Sequence, residues 1–270
     1  MKAPRFDYER PASLNAAVAL LGAEDAVVKI LAGGQSLGPM LNLRLVRPDL
    51  LVDVTRIADL RQVAERDDSL ILGAAVTHAA IEDRRAPDVT RGMLASVAAG
   101  IAYRAVRNRG TIGGSLAHAD PAADWLTCLA VLGAEPIIFG PSGRRTVPMG
   151  DFVVGAFETA LQPDEILEAV RIPRLSRRGR WGYYKVCRKT GEFADAVAAV
   201  VHDPEQSVCR AVVGATGSAP IVLADAASLL GPNFDGAAAH RLLRERGLGG
   251  DEIDLQVHVV ALKRACERLQ

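Results

Sequence analysis

The segment Thr111–Asp124, with the sequence TIGGSLAHADPAAD, is the part of the chain from which the fold is best interpreted. It places two adjacent glycines, two hydroxyl residues and two carboxylates ahead of the apolar run Trp125–Leu132. Glycines allow a backbone to take positive φ angles and to approach a ligand closely. Backbone N–H groups in such a turn bind anions, especially where a helix begins. The segment therefore predicts a phosphate- or ribityl-binding loop, and a tight turn with an N-cap is the structural alternative.

Another glycine segment, AGGQSL at Ala32–Leu37, follows the strand-like apolar run Val27–Leu31. We call it the first glycine segment because it comes earlier in the chain, and Thr111–Asp124 is the second glycine segment. Its spacing fits neither the GxxxxGK[ST] phosphate loop nor the GxGxxG turn of dinucleotide-binding folds. Two separate segments with a Gly-Gly pair and a following serine in one chain suggest a ligand with two phosphates, or a long ligand that is held at two places.

The two glycine segments and a third segment, YYKVCRKTGEFA at Tyr183–Ala194, resemble one protein family. For the second glycine segment, the resemblance begins four residues earlier and covers RNRGTIGGSLAHADPAAD at Arg107–Asp124. The family is that of the FAD-binding medium subunits of molybdenum hydroxylases, of the carbon monoxide dehydrogenase and xanthine dehydrogenase type. The likeness covers nearly the whole chain, and we identify the chain on these residues as a member.

The resemblance implies an α+β fold in two parts. The first is a two-part FAD-binding domain of the PCMH or vanillyl-alcohol-oxidase type at residues 1–174, with subdomains of about 1–56 and 57–174. The second is a smaller α+β domain of the carbon monoxide dehydrogenase flavoprotein type at residues 175–270. Segregated strand-like and helix-like runs also favour α+β over regular βαβ alternation. The basic run Arg174–Arg180 is the expected boundary, a solvated polar linker.

Local patterns predict several individual helices. Ser13 is expected to cap a helix over Leu14–Leu21, because its hydroxyl can accept a free N–H of the first turn. The apolar spacing in Asp251–Leu269 is typical of a long amphipathic helix. Further helices are predicted over 149–157 and 220–230.

The resemblance also implies which residues hold FAD. N–H groups of the first glycine segment and the Ser36 hydroxyl would bind the pyrophosphate, because charge-assisted hydrogen bonds are strong. Asp124 would accept hydrogen bonds from ribose hydroxyls, and Asp120 would stabilise its loop. The expected cofactor-binding residues are Ala32, Gly33, Gly34, Gln35, Ser36, Leu37, Thr111, Gly113, Gly114, Ser115, Asp120, Asp124, Leu167, Tyr183 and Lys185.

Three of these residues are transferred from the family with less support from the local sequence. Leu167 matches an apolar residue near the adenine, Tyr183 a ring near the isoalloxazine, and Lys185 a contact at its polar edge. Tyr183 and Lys185 alternate along a strand and share one face, so simple packing in the core is the alternative for both. No catalytic residue and no metal ligand is expected on this chain.

Composition excludes several classes of function. The 32 basic and 32 acidic residues give a formal net charge of +0, which leaves no electrostatic footprint for nucleic acid. The sequence shows no apolar run of about 18 residues and no signal peptide, so we expect a cytoplasmic protein without a membrane span. The four cysteines lie far apart without a CxxC pair, and iron–sulfur or molybdenum chemistry is therefore expected on other chains.

The leading hypothesis is an FAD-containing electron-transfer subunit of a molybdopterin/[2Fe–2S]/FAD hydroxylase complex. Its partners would be a large molybdopterin subunit and a small subunit with two [2Fe–2S] clusters, in a dimer of heterotrimers. Electrons would pass from the clusters to an external acceptor. A free-standing FAD-dependent oxidoreductase of the same fold and a scaffold with a decayed FAD site are the alternatives. The sequence determines neither the substrate of the complex nor the acceptor.

Overall fold

The computed structural model describes residues 2–23, 26–230 and 234–269. The first part of the chain forms three short strands and two helices: β1 (Asp7–Glu9), α1 (Leu14–Leu21), β2 (Val28–Leu31), α2 (Leu37–Asn42) and β3 (Leu50–Asp53). The strands make a parallel sheet in the order β1–β3–β2, and α2 provides the crossover that the parallel pair β2 and β3 requires. The Ser13 hydroxyl accepts the Ala16 N–H, which confirms the predicted cap of α1.

The second part combines a larger sheet with a group of helices. Its elements are β4 (Val63–Glu65), β5 (Ser69–Gly73), α3 (His78–Glu82), α4 (Met93–Ala99), α5 (Arg104–Arg107), α6 (Ile112–His118), α7 (Asp124–Leu132), β6 (Glu135–Gly140), β7 (Gly143–Thr146), α8 (Met149–Phe152), β8 (Val153–Gly155), β9 (Glu158–Thr159) and β10 (Ile166–Pro173). Five strands form an antiparallel sheet in the order β4–β5–β10–β6–β7. All five helices α3 to α7 lie in the chain between two strands of this sheet.

The third part is an antiparallel sheet with two long helices. Its elements are β11 (Arg180–Val186), β12 (Ala196–Asp203), β13 (Val208–Gly214), β14 (Ile221–Leu223), α9 (Gly236–Glu245) and α10 (Glu252–Glu267). The strands follow the order β11–β12–β13–β14. The predicted helix over 251–269 corresponds to α10, and Asp251 caps it.

Both faces of this third sheet are covered. Helix α10 packs on one face against β11 and β12, and α7 packs on the other face against β12 and β13. The alternation of strand residues follows from this arrangement, since Ala199 and Val201 belong to the core that contains α7. Their neighbours Ala198 and Val200 belong to the core under α10. A strand that is buried on both faces reads as a continuous apolar run, as β12 does.

Four local predictions differ from the structure. The predicted loop Thr111–Asp124 contains helix α6, because Thr111 caps a helix at its first residues. The helix predicted over 149–157 ends at Phe152 and continues as strand β8. The segment 220–230 contains strand β14 and a short 3₁₀ helix instead of an α-helix, because Val222 and Leu223 pair with the edge of β13.

The fourth difference concerns the basic run at 174–180. The run connects β10 to β11, but its first residues are held by hydrogen bonds, so it is not a free solvated link. Arg174 Nη2 donates to Glu65 Oε1 at 2.6 Å, and the Ser176 hydroxyl donates to Asp203 Oδ1 at 2.5 Å. The division of the chain into domains at residue 174 stays a prediction. No helix within the described ranges has the length and apolar character needed to cross a bilayer.

Candidate cofactor site

The first glycine segment presents a row of free N–H groups at the amino end of α2. Gly34 takes a φ of 71°, a left-handed conformation that favours glycine. Gly38 donates to Gly34 O at 2.9 Å, and this bond closes the turn into the helix. The N–H groups of residues 33–37 donate to no other residue among those that the structure describes. Successive unpaired amides of this kind form a concave anion site, so the chemistry of this segment suits a phosphate group.

The two glycine segments touch each other, although about seventy residues separate them in the chain. A Cβ placed on Gly33 would lie 2.1 Å from Arg109 O, so only glycine allows this approach of two backbones. A Cβ on Gly114 would lie 3.5 Å from the Ala32 Cβ. The segments therefore form one continuous surface, as a long ligand held at two places requires.

The second glycine segment uses its amides inside the protein. Ile112 and Gly113 donate to the carbonyls of Val76 and Ala74, at 3.0 and 2.9 Å. Gly114 donates to the Thr111 hydroxyl at 3.0 Å. Gly113 and Gly114 were expected to contact phosphate, ribityl or isoalloxazine atoms, and in this structure their N–H groups stabilise the start of α6; their contact with the cofactor stays a prediction. A Cβ on Gly113 would lie 2.3 Å from the Ala74 Cβ, so the glycine permits close packing.

The turn after α6 is stabilised by its own residues. Ala119 takes a left-handed φ of 49°, and Asp120 Oδ1 accepts the Ala122 N–H at 3.0 Å. This bond agrees with the expected role of Asp120 in shaping the segment. It also delivers Asp124 to the first turn of α7, where the helix dipole favours a carboxylate.

Asp124, Tyr183 and Lys185 meet in a buried cluster that joins α7 to β11. The Tyr183 hydroxyl donates to Asp124 Oδ1 at 2.5 Å, and Lys185 Nζ donates to Asp124 Oδ2 at 3.1 Å. Lys185 Nζ also donates to Gly100 O at 3.2 Å. The side chains of Lys185 and Asp124 are 9% and 8% exposed, so this is a buried ion pair. The two β11 residues do share a face, and both point at the carboxylate that follows the second glycine segment.

Burial controls the protonation of this cluster. It raises the pKa of the Asp124 carboxyl above its ordinary value, and the nearby Lys185 charge opposes that rise. Burial also raises the pKa of the Tyr183 hydroxyl well above its ordinary value, and the Asp124 charge adds to the effect. Tyr183 therefore stays a neutral donor to Asp124.

Leu167 lies apart from these contacts in the described structure. It belongs to β10, its side chain is 5% exposed, and it packs in the main core. The register of β10 against β6 shifts between Leu167 and Ala169, which marks a bulge at this position. A bulge redirects side chains, and sequence periodicity does not reveal it.

A buried histidine supports the second glycine segment from behind, and sequence reasoning missed it. Trp125 Nε1 donates to His78 Nδ1 at 3.0 Å, and the histidine ring lies against Gly110. Burial and the charge of Arg107 lower the pKa of His78 to about 4. The imidazole is therefore neutral, with its proton on Nε2. The close contact explains Gly110, since a Cβ there would lie 2.8 Å from the ring.

Three comparisons relate the chain to known proteins. Residues 4–175 match the family described as the FAD binding domain in molybdopterin dehydrogenase. The carbon monoxide dehydrogenase medium chain of Hydrogenophaga pseudoflava is 38% identical over 221 residues, which cover 82% of this chain and 77% of that one. The caffeine dehydrogenase subunit beta of Pseudomonas sp. (strain CBB1) is 36% identical over 225 residues, which cover 82% of this chain and 76% of that one.

The fold is also similar to that of a solved structure. Carbon monoxide dehydrogenase from Hydrogenophaga pseudoflava, in a form that lacks the Mo-pyranopterin moiety of its cofactor, matches with a TM-score of 0.87 at 33% identity. The match covers 99% of this chain and 98% of that chain. The predicted family, the α+β fold class, the FAD cofactor and the oxidoreductase class are thereby confirmed. The chain belongs to the FAD-binding family of molybdopterin dehydrogenases and is the FAD subunit of a molybdenum hydroxylase-type complex.

Proposed function

We propose that this chain holds FAD across the joined glycine segments and passes electrons from [2Fe–2S] clusters on a partner chain to an external acceptor. The observation that carries the proposal is the row of unpaired N–H groups at residues 33–37, on a surface shared with the second glycine segment. Dipoles that are fixed in place before binding need no rearrangement to hold a diphosphate. Bound FAD supplies redox chemistry that accepts single electrons and releases pairs.

In this proposal the first glycine segment holds the pyrophosphate. Its five amides are free to donate to the ligand, and Gln35 Nε2 donates to Gly33 O at 3.0 Å, which fixes the turn. The Ser36 and Ser115 hydroxyls donate to no other described side chain or carbonyl, and both can bind the cofactor. Ala32 and Leu37 border the amides and contribute apolar contact. Leu167 is proposed to pack near the adenine.

The buried cluster of Asp124, Tyr183 and Lys185 is assigned to a ribose hydroxyl and to the isoalloxazine of the cofactor. An ionised carboxylate has about four acceptor positions, so Asp124 can hold Tyr183 and Lys185 and still accept from a ribose hydroxyl. Asp124 orients the Lys185 ammonium, and a cation beside the flavin raises its reduction potential. The Tyr183 ring would border the isoalloxazine. In this proposal Thr111, Gly113 and Gly114 contact the cofactor with groups other than the paired N–H groups of Gly113 and Gly114, which hold the start of α6.

The proposal includes partner chains and a place in the cell. The related proteins are named a medium chain and a subunit beta, which supports a large molybdopterin subunit and a small [2Fe–2S] subunit beside this chain. A dimer of heterotrimers and a cytoplasmic location are part of the proposal. The two relatives are named for carbon monoxide and caffeine, so the substrate is set by the partner chain and not by this one.

An absorption spectrum of the purified chain tests cofactor binding. We expect the visible bands of oxidised flavin, and FAD after release and identification. A chain that is colourless and takes up no added FAD would contradict the proposal. Electron transfer is tested by mixing the flavin-loaded chain, without oxygen, with a reduced [2Fe–2S] partner that has been freed of excess reductant. Flavin absorbance should bleach, whereas turnover of NAD(P)H by the isolated chain would favour the free-standing oxidoreductase.

A further inference from the structure

A basic surface with two exposed leucines lies at the end of α2 opposite to the first glycine segment. We define it as the basic loop surface, formed by Lys2, Arg5, Leu43, Arg44, Leu45 and Arg47. Leu43 and Leu45 are 52% and 70% exposed. Single exposed apolar residues are common on proteins, but two exposed leucines one residue apart, in a loop that also carries cations, are typical of an interaction site.

The loop that carries the leucines is held in place by hydrogen bonds. Arg44 takes a left-handed φ of 58°, which is uncommon for a residue other than glycine. Arg44 N–H donates to Leu41 O at 3.0 Å, and Leu45 N–H donates to Met40 O at 2.9 Å. Arg44 Nε donates to Lys2 O at 3.3 Å and ties the loop to the start of the chain. The leucines are therefore presented to solvent by a fixed backbone.

The charges around the leucines are mostly positive. Residues 2–8 and 42–48 contain four cations and one carboxylate, that of Asp7. The two segments run side by side, since Asp7 lies opposite Leu50 in the parallel register of β1 and β3. None of the four cations forms an ion pair with another residue in the described ranges. Elsewhere Arg104 and Arg107 both pair with Glu82, so unpaired cations are not the rule on this surface.

We propose that the basic loop surface docks an acidic patch, with an apolar centre, on a partner chain of the complex. This inference rests on the proposed function, because that function requires partner chains. An apolar anchor surrounded by charged groups is the usual arrangement of a specific protein interface. Complementary charge at the rim speeds association, and the buried leucines hold the complex together. Helix α2 runs from this surface to residues 33–37, so the docked partner lies next to the cofactor segment.

Charge and composition favour a protein partner over other occupants. Two leucines and four cations give only marginal attachment to a membrane, which needs a larger buried apolar area or a second anchor. Nucleic acid is disfavoured because the chain has a formal net charge of +0, which leaves no electrostatic footprint for it. An acidic protein surface satisfies both the leucines and the cations.

The test compares the unmodified full chain with three variants, each co-expressed with the large and small partner chains. The double variant Leu43→Ser/Leu45→Ser removes the apolar anchor, and the double variant Arg44→Glu/Arg47→Glu reverses the charge. Ile253→Ser is the matched control, because Ile253 is 74% exposed on α10 and lies outside the basic loop surface. Flavin content and melting temperature of each isolated variant show whether it is folded. Assembly is measured as the dissociation constant at low and high salt.

We expect the leucine variant to bind its partners about tenfold or more weakly. The charge variant should associate more slowly and lose most of its dependence on salt, whereas the control should bind as the unmodified chain does. Equal affinity of all folded forms would overturn the docking surface while leaving the proposed function intact. An unmodified chain that binds no partner chain would overturn both. Two further results would overturn the inference. One is binding to vesicles of phosphatidylserine and phosphatidylcholine, and the other is self-association, if the unmodified chain shows it and the two double variants lose it. The surface would then serve a membrane or a second copy.

Discussion

Each of the two glycine segments has a Gly-Gly pair followed closely by a serine, yet they do different work in the structure. The first, at 33–36, has Gly34 in a left-handed conformation and leaves its amides unpaired. The second, at 113–115, is helical, and its amides are paired with Ala74 and Thr111. Glycine in the first segment provides a backbone conformation, whereas glycine in the second provides space for packing. Changes in the first should therefore act on FAD affinity, and changes in the second on stability.

The largest effect is expected at Asp124, at the end of the second segment. Asp124→Asn leaves the Lys185 ammonium buried without a charged partner, which should lower the free energy of unfolding by about 4 kcal/mol. Chemical denaturation of the FAD-free chain measures this, so that loss of cofactor does not contribute. Lys185→Met in the same background should recover part of the loss, because it removes the unpaired charge. An unchanged free energy of unfolding in Asp124→Asn would show that the cluster does not stabilise the contact between α7 and β11.

Gly113→Ala should destabilise the FAD-free chain by about 3 kcal/mol, because the new methyl would press on the backbone of Ala74. The control is Gly38→Ala in α2, where a Cβ meets no atom within 4 Å. Alanine is the better helix former, so the control should gain roughly 0.5–1 kcal/mol. A lower melting temperature for Gly113→Ala and a higher one for Gly38→Ala, each relative to the unmodified chain, would support the packing role of Gly113. A neutral Gly113→Ala would show that the second segment does not need close approach.

Acid should lower the free energy of unfolding by protonating His78, which packs against the second glycine segment. The folded pKa of His78 is lowered to about 4, from an ordinary value of 6.5, so the unfolded chain binds a proton that the folded chain does not. The stability from this group is complete above pH 6.5 and is lost as the pH falls toward 4, by up to about 3 kcal/mol. Unfolding free energies measured across this range check the slope. The variant His78→Asn keeps an acceptor for Trp125 and should remove this dependence of the unfolding free energy on pH. An unchanged slope would assign the titration to other groups.

The smallest effects separate the two segments most directly. The Ser36 hydroxyl has no partner among the described residues, so Ser36→Ala should leave stability unchanged and weaken FAD binding by about 1 kcal/mol, roughly fivefold. The Thr111 hydroxyl caps α6, so Thr111→Ala should cost about 1 kcal/mol of stability. Its effect on FAD binding should be the smaller of the two. Melting curves and FAD titration of both variants test the pair, and the reverse pattern would contradict the division of roles.

Sequence patterns predicted those features that depend on neighbours in the chain. Ser13 was predicted to precede a helix, and its hydroxyl caps that helix in the structure. The local pattern failed at 220–230, where pairing with β13 overrides an apolar run that suits a helix. It failed also for Thr111–Asp124, because a Gly-Gly pair lowers helix propensity while packing against Ala74 restores the helix.

The site was predicted in part, for reasons of the same kind. The resemblance supplied the fifteen expected residues, and the structure brings the two glycine segments, Asp124, Tyr183 and Lys185 into two contact groups. It does not join Leu167 to either group. The His78–Trp125 pair lies forty-seven positions apart in sequence, so no local pattern reveals it. Which amides remain free is likewise a property of tertiary contacts, which one sequence does not display.

The position of α7 limits how this protein could evolve by exchange of modules. Helix α7 lies in the part that binds FAD, yet it supplies the cover for one face of the third sheet, and all nine of its residues are buried. A recombination point near residue 174 would give a hybrid whose sheet meets a foreign helix. Gly214 would have to fit Thr127, where a Cβ would lie 2.0 Å from the hydroxyl oxygen. Hybrids between relatives should therefore fold only when α7 and the third sheet come from the same parent.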